Sequence, residues 1–260
     1  MVILKSPREI AKIYRACQIV AEILQSLKEV VEPGITTWDL NALSDRLSAE
    51  RNAKPAFNGY QGYPFSLCTS VNEEVVHGMP SKSRRLLEGD IISIDFGVIH
   101  DGYYGDAAIT VPVGRVSEKA AFLCEVAEQS LYQGIKQAVA GNRLSDISHA
   151  IQTHVESHKF TVVREFVGHG IGQSLHESPQ IPNYGPPGKG IRLKAGMVLA
   201  IEPMINEGRA EVEIQADQWT AVTVDRKLSA HFEHTVAITE NGPEILSALE
   251  TRVYKRSLLG

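Results

Sequence analysis

Only three cysteines occur in the 260-residue chain, Cys17, Cys68 and Cys124, and no two of them form a Cys-x-x-Cys pair. An odd, unpaired set in a chain this long reads as reduced thiols. No stretch of about 18 consecutive apolar residues is present, so no membrane-spanning helix is expected. The opening Met1-Val2-Ile3-Leu4-Lys5-Ser6 lacks the basic start and long apolar core of a signal peptide, which makes the cytoplasm the expected compartment. Blocks of Lys and Arg are also missing. With 26 basic against 31 acidic residues the net charge is −5, which argues against nucleic acid or anionic membrane as the main partner. No Pro/Ser/Gly-rich linker divides the chain. What remains is a composition with 43% hydrophobic residues; leaving out Tyr and counting Gly gives about 48%, on the globular average and ample for a core.

Helix signals open early. Ser6-Pro7-Arg8-Glu9 offers an N-cap serine, proline at the first helical position and a glutamate to close a capping box. Ile10, Ile13, Tyr14, Cys17, Val20, Leu24, Leu27 and Val31 then recur at helical spacing until Pro33-Gly34 stops the run. A second helix is expected from Thr37, and a third from Ser117 that closes at Gly141. Between them lie extended segments from Pro55 to Pro80 and a β-rich stretch from Ile91 to Val113, with a tight turn at His100-Asp101-Gly102.

The chain also resembles itself at a shift of 107 residues. Glu88-Gly89-Asp90-Ile91-Ile92-Ser93-Ile94-Asp95 aligns with Ala195-Gly196-Met197-Val198-Leu199-Ala200-Ile201-Glu202. At that shift Gly34 meets Gly141 and Asp39-Leu40 meets Asp146-Ile147. With a two-residue slip, Phe57-Asn58-Gly59 meets Phe166-Val167-Gly168. Agreement on nearly one offset, in one order, predicts a duplicated helix-then-strand half. The expectation is a single domain over residues 1–260, with pseudo-repeats roughly 7–115 and 117–250 and a site between them.

Each repeat ends its apolar strand in a carboxylate, Asp95 and Glu202, where an unpartnered acid is unfavourable. A hairpin turning on His100-Asp101 would set Asp95 directly opposite Asp106, two like charges that repel. A shared proton or a cation must offset this, and a divalent metal compensates most. Glu202 and Glu233 form the corresponding pair, and four acids around one pseudo-twofold axis suit a two-metal site. Three of the nine histidines lie in apolar or glycine-rich settings: His77 in Val-Val-His-Gly-Met-Pro, and His169 and His176 in Val-Gly-His-Gly-Ile-Gly-Gln-Ser-Leu-His. Gly168, Gly170 and Gly172 exclude a stable helix there and admit close backbone approach. Other candidates fall away. His154 and His158 lack the zincin order and read as a solvated helix face. Gly168 to Gly172 misses the dinucleotide spacing, and Gly188-Lys189-Gly190 has no Ser or Thr to complete a phosphate loop. Pro182 to Gly190 reads as a loop over the cleft.

Val-Asn-Glu-Glu-Val-Val-His77-Gly, Ser-Ile-Asp95-Phe-Gly, Gly-Asp106-Ala-Ala, Gly-His169-Gly-Ile-Gly, Ile-Glu202-Pro-Met and Glu233-His-Thr together resemble the motifs of the type I methionine aminopeptidases, over nearly the whole chain. The chain is compact, without the insertion expected of type II. The resemblance implies the α/β pita-bread fold, a pseudo-twofold duplication of a helix-plus-antiparallel-strand half with a metal site between the halves. It implies two divalent ions, drawn from Co, Mn, Fe or Zn, held by Asp95, Asp106, His169, Glu202 and Glu233. Asp106 and Glu233 would bridge, Asp95 would serve one ion, and His169 and Glu202 the other. His77, His176 and Glu202 are the implied catalytic residues, and Tyr60, Tyr63, Cys68, His77, His176 and Trp219 the implied substrate contacts. Leu175 departs from the family, which commonly has Phe there, and bears on pocket shape. The implied activity is removal of N-terminal methionine ahead of a small second residue, on peptides and nascent chains, by a monomer in transient contact with the ribosome. Two rivals share the likeness. An Xaa-Pro aminopeptidase or prolidase would have the same five ligands, and a non-catalytic pita-bread protein would bind nascent chains without turnover.

Overall fold

The computed structural model describes residues 2–249. Four α-helices, α1 (Pro7–Val30), α2 (Thr37–Glu50), α3 (Glu118–Gln137) and α4 (Leu144–Ser157), pack with strands of three sheets. Local chemistry sets the helix starts. Ser6 caps α1 in a capping box, its Oγ accepting from the Glu9 N–H while Glu9 accepts from the Ser6 N–H at 2.8 Å. Thr36 and Asp39 do the same for α2. The third helix stops at Gln137, earlier than the expected Gly141, because Asn142 Nδ2 donates to the Gln137 carbonyl at 3.0 Å and ends the ladder there.

In chain order the strands are β1 (Lys54–Pro55), β2 (Cys68–Val71), β3 (Glu74–Val76), β4 (Ile91–His100) and β5 (Tyr103–Pro112) in the first half. The second half contributes β6 (Thr161–Val162), β7 (Gly168–Gly170), β8 (Glu177–Ile181), β9 (Val198–Ile201) and β10 (Met204–Asn206). It continues with β11 (Val212–Ile214), β12 (Ala221–Thr223), β13 (Ser229–His231), β14 (Glu233–Thr239) and β15 (Gly242–Ile245). The main sheet runs β1-β4-β5-β14-β9-β7-β8, with β2 added on β4 and β15 on β14. Two small sheets, β13-β10-β6 and β11-β12-β3, complete the wall.

The halves repeat in detail. The second helix of each half, α2 or α4, begins and ends at the 107-residue offset. Gly34 and Gly141 both take a left-handed φ, +102° and +101°, and donate their N–H to Leu86 and Leu193. Arg85 and Arg192 each donate to the glycine carbonyl of their own half at 2.7 Å. Strands β5 and β14 meet at the pseudo-axis, with Ala108 opposite Glu233. One large core lies under α3 and α4, another under α1 and α2.

Two further expectations change. The β4–β5 turn is Asp101-Gly102, both left-handed, a two-residue hairpin of the primed kind. Asp95 therefore faces Ala108, and Asp106 faces Gly97. Because side chains alternate across a strand, Asp95 and Asp106 still share a face, as diagonal neighbours. The 182–190 loop lies along α4: its amides at Gly185, Gly188 and Lys189 donate to Gln152, Asp146 and Ser145.

Helix α1 crosses β5 at Gly105, where a Cβ would stand 2.5 Å from the Cys17 nitrogen and 2.6 Å from the Ala16 carbonyl carbon. Backbone cannot move aside as a flexible side chain does. Gly105→Ala is expected to destabilise by about 1 to 3 kcal/mol, lowering Tm by about 2 to 4 °C per kcal/mol in a chain this size. A thermal melt of the variant within 1 °C of wild type would contradict this packing, on the scale about one kcal/mol should move it.

Candidate metal centre and active site

The four acids converge at the pseudo-axis. Asp106 and Glu233 are both 3% exposed, and β14 pairs with β9 as far as His234 opposite Ile201, so that Glu233 and Glu202 each adjoin that last pair. Ligand atoms of Asp106, His169 and Glu233 lie within 4.8 Å of one another. Gly97 makes room opposite Asp106, for a Cβ there would stand 3.1 Å from Asp106 Oδ1. Thr235 Oγ1 donates to the Asp106 carbonyl at 2.8 Å and ties the two halves together.

Electrostatics make this cluster unstable as a set of bare carboxylates. Burial raises Asp95 to about 7. Burial and the charge of Asp95 raise Asp106 well above the carboxylate range. Glu202 is raised by burial, Asp95 and Asp106, and Glu233 by burial, Asp106 and Glu202. Among the described residues, Asp95 Oδ1, Asp106 Oδ1 and Glu233 Oε1 are buried without a hydrogen-bond partner. Such atoms need a proton or a cation.

His169 completes the donor set on β7. Its Nδ1 faces the Gly170 carbonyl at 2.9 Å and must donate to it, leaving the Nε2 lone pair directed inward, 3.5 Å from Glu202 Oε1. Fixing one imidazole nitrogen by a backbone carbonyl is the arrangement that prepares the other as a metal ligand. Burial holds His169 down to about 3, so the ring is neutral. Oxygen donors with one imidazole fit a divalent cation.

The glycines around His169 serve close approach, as their pattern suggests. A Cβ at Gly168 would meet the Ala200 carbonyl oxygen at 2.4 Å, and one at Gly170 the Ser178 carbonyl oxygen at 2.4 Å.

Beside the acids stand His176 and His77. The His176 ring lies 4.3 Å from that of His169, and its Nδ1 is 2.8 Å from the Tyr60 hydroxyl. His77 sits in the left-handed region at φ +60°, a strained conformation. Its ring meets Phe166 edge-on at 5.3 Å, and burial followed by the charge of His176 lowers it to about 4. The apolar wall behind them groups Tyr63, Cys68 and Leu175 with partly buried Tyr60 and Trp219. Tyr63 stacks edge-on with Trp219 at 5.1 Å and donates its hydroxyl to the Leu67 and Gly78 carbonyls. Asp217 holds the Trp219 turn, accepting from the amides of Trp219 and Thr220 at 2.9 Å each.

One neighbour escaped the sequence reading. His231 is 1% exposed, its Nε2 lies 3.8 Å from Glu202 Oε2, and neither ring nitrogen has a hydrogen-bond partner among the described residues. Its signal was present: His231 precedes Glu233 by two residues in a buried strand context, the spacing that shares a face.

The model of metallopeptidase family M24 matches residues 11–240. Methionine aminopeptidase 1 of Bacillus subtilis (strain 168) is 56% identical over 247 residues, covering 95% of this chain and 99% of that protein. The chain belongs to the methionine aminopeptidases of metallopeptidase family M24. The methionine aminopeptidase of Clostridium acetobutylicum is 53% identical, over 96% of this chain and all of that one. A crystal structure of methionine aminopeptidase from Thermotoga maritima superposes with a TM-score of 0.94 at 50% identity, covering 95% of this chain and 100% of that one. The prolidase from Pyrococcus horikoshii shares the fold, at a TM-score of 0.77 and 23% identity, with this chain spanning 65% of it. The architecture is thus the pita-bread fold, common to methionine aminopeptidases and prolidases. Among the described residues of this methionine aminopeptidase, no helix is long and apolar enough to cross a membrane.

Proposed function

We propose that this chain removes the N-terminal methionine from nascent proteins and peptides whose second residue is small. The observation that carries the reading is the buried, unpartnered carboxylate set facing a neutral His169, in a chain 56% identical to a methionine aminopeptidase. Asp95, Asp106, His169, Glu202 and Glu233 would hold two divalent ions of the Co, Mn, Fe or Zn group. Such ions, when bound, lower the proton affinity of water and polarise a carbonyl.

The protein's own groups then have separable tasks. Glu202 takes a proton from the attacking water and returns it to the leaving amine. With Nδ1 accepting the hydrogen bond of the Tyr60 hydroxyl, His176 keeps Nε2–H to donate to the scissile carbonyl oxygen. His77, neutral under physiological conditions, holds the scissile amide. Tyr60, Tyr63, Cys68, His77, His176 and Trp219 bound the methionine side chain, which is unbranched and favourable against aromatic edges. Leu175, 2% exposed in the same cluster as Tyr63 and Cys68, bears on the shape of that pocket. The whole chain works as one catalytic domain with repeats roughly 7–115 and 117–250, a monomer in the cytoplasm that meets the ribosome only in passing.

A small second residue is required because its side chain must lie between the acid cluster and His77. Met-Gly and Met-Ala peptides are expected to be cleaved by protein supplied with Mn(II) or Co(II), and Met-Lys and Met-Trp poorly. Equal kcat/KM across the four would sink the pocket argument, and preference for Xaa-Pro peptides would point to the prolidase branch.

A further inference from the structure

We propose that Lys5, in the segment before α1, is a positioning residue for His176, and that the N-terminal segment is in this way part of the active site. The proposal rests on the reading of His176 as a group that touches substrate.

His176 is exposed and belongs to the loop between β7 and β8. Its ring is held by the Tyr60 hydroxyl, 2.8 Å from Nδ1, and its Cα by the backbone of this loop. That backbone is organised by Glu177. One carboxylate oxygen, Oε1, accepts the amides of Gln173 at 2.9 Å and Ser174 at 3.2 Å. The other, Oε2, is bonded by Lys5 Nζ, and the two side chains are only 10% and 4% exposed. Lys5 is itself anchored, its N–H donating to the Gly196 carbonyl at 2.7 Å and its Nζ reaching the Ile3 carbonyl at 3.3 Å.

Gly172 is shaped to this pair. A Cβ there would stand 2.5 Å from Lys5 Cε and 2.7 Å from Glu177 Oε1. The third glycine of the His169 motif therefore leaves space for an ion pair that arrives from the other end of the chain. If the ammonium is removed, a buried carboxylate is left without its counter-charge. It will turn toward water and release the Gln173 and Ser174 amides. His176 then loses its fixed distance from His169 and from the substrate carbonyl, and a displacement of about 1 Å in a reacting geometry can cost about a hundredfold in rate.

The test compares Lys5→Met and Lys5→Arg with wild type, all loaded with Mn(II), using Met-Ala-Ser as substrate and amide hydrogen exchange of residues 171–177. Lys5→Met is expected to lower kcat by about tenfold or more with KM changed less than about threefold, since the methionine pocket is untouched. Gln173 and Ser174 should exchange faster in it. Lys5→Arg, which keeps the charge, should restore most of both. A Lys5→Met variant with kcat within about twofold of wild type and only a lower Tm would reduce the pair to a structural role and overturn the proposal. A fall in kcat with unchanged exchange would overturn it equally. Should Lys5→Met not fold, Gly172→Ala crowds the same pair without removing a charge and is expected to act in the same direction; native kcat and exchange in it would refute the proposal. Failure of wild type to cleave Met-Ala-Ser would instead remove the functional reading, and the exchange comparison would still decide whether Lys5 orders the loop.

Discussion

Glu202→Gln is expected to lower kcat by at least about two orders of magnitude, because an amide neither accepts the proton of an attacking water nor offers a charged ligand. The substitution keeps size and shape, so the fold is expected to survive it. Its consequences are local because Glu202 stands between two imidazoles: Oε1 lies 3.5 Å from His169 Nε2, and Oε2 lies 3.8 Å from His231 Nε2. Its backbone is fixed separately, by Asn183 Nδ2 donating to the Glu202 carbonyl at 3.0 Å. Steady-state kinetics should be paired with metal content measured on the same sample. Activity within a few-fold of wild type, with metal retained, would show that another group moves the proton. Loss of metal together with activity would assign Glu202 chiefly to ligation.

Removing divalent metal is expected to have the larger effect on rate, at least about a thousandfold, since several kcal/mol of charge stabilisation is lost. It should also change how stability depends on pH. The four acids have folded pKa values raised above ordinary values of 3.8 and 4.5. In the metal-free fold their contribution is complete below about pH 4 and is lost as pH rises toward the folded values, because the unfolded chain ionises first. Buried histidines act with the opposite sign. His169 and His231 are lowered to about 3, and His77 and His234 to about 4, from 6.5. Their contribution is complete above about pH 6.5 and is lost as pH falls. Between about pH 4 and 6.5 the two sets oppose one another; above about 6.5 only the acids still titrate. Chelated protein should therefore lose Tm from about pH 6.5 to 8, whereas protein with saturating Mn(II) should hold or gain it, because ligation requires deprotonated acids. Parallel melts in chelator and in Mn(II) decide the matter. Identical, flat profiles would mean that these carboxyls are not held together by a cation.

Much of this was legible in the residues themselves. The starts of α1, α2 and α3 follow from local capping chemistry, which acts within four residues and needs no tertiary partner. The duplication was readable because equivalent turns demand equivalent residues: Gly34 and Gly141 repeat for the same left-handed conformation. Asp95 and Glu202 stood out because an acid closing an apolar run is costly unless something compensates it, and His169 because glycines flank it; the full set of five came from the resemblance.

Register and long-range contact were decided only by the folded chain. A shift in the turn from His100-Asp101 to Asp101-Gly102 moves Asp95 from Asp106 to Ala108, and alternation alone cannot distinguish two registers that keep the same faces. His231 beside Glu202, Thr235 on the Asp106 carbonyl, and Lys5 bonded to Glu177 join residues 29, 129 and 172 positions apart. No local propensity encodes such pairs. The sequence by itself determined which side chains could carry the chemistry, because residue type and period are local properties. Tertiary structure alone decided which neighbours hold them, because that depends on strands and segments far apart in the chain meeting across the pseudo-axis.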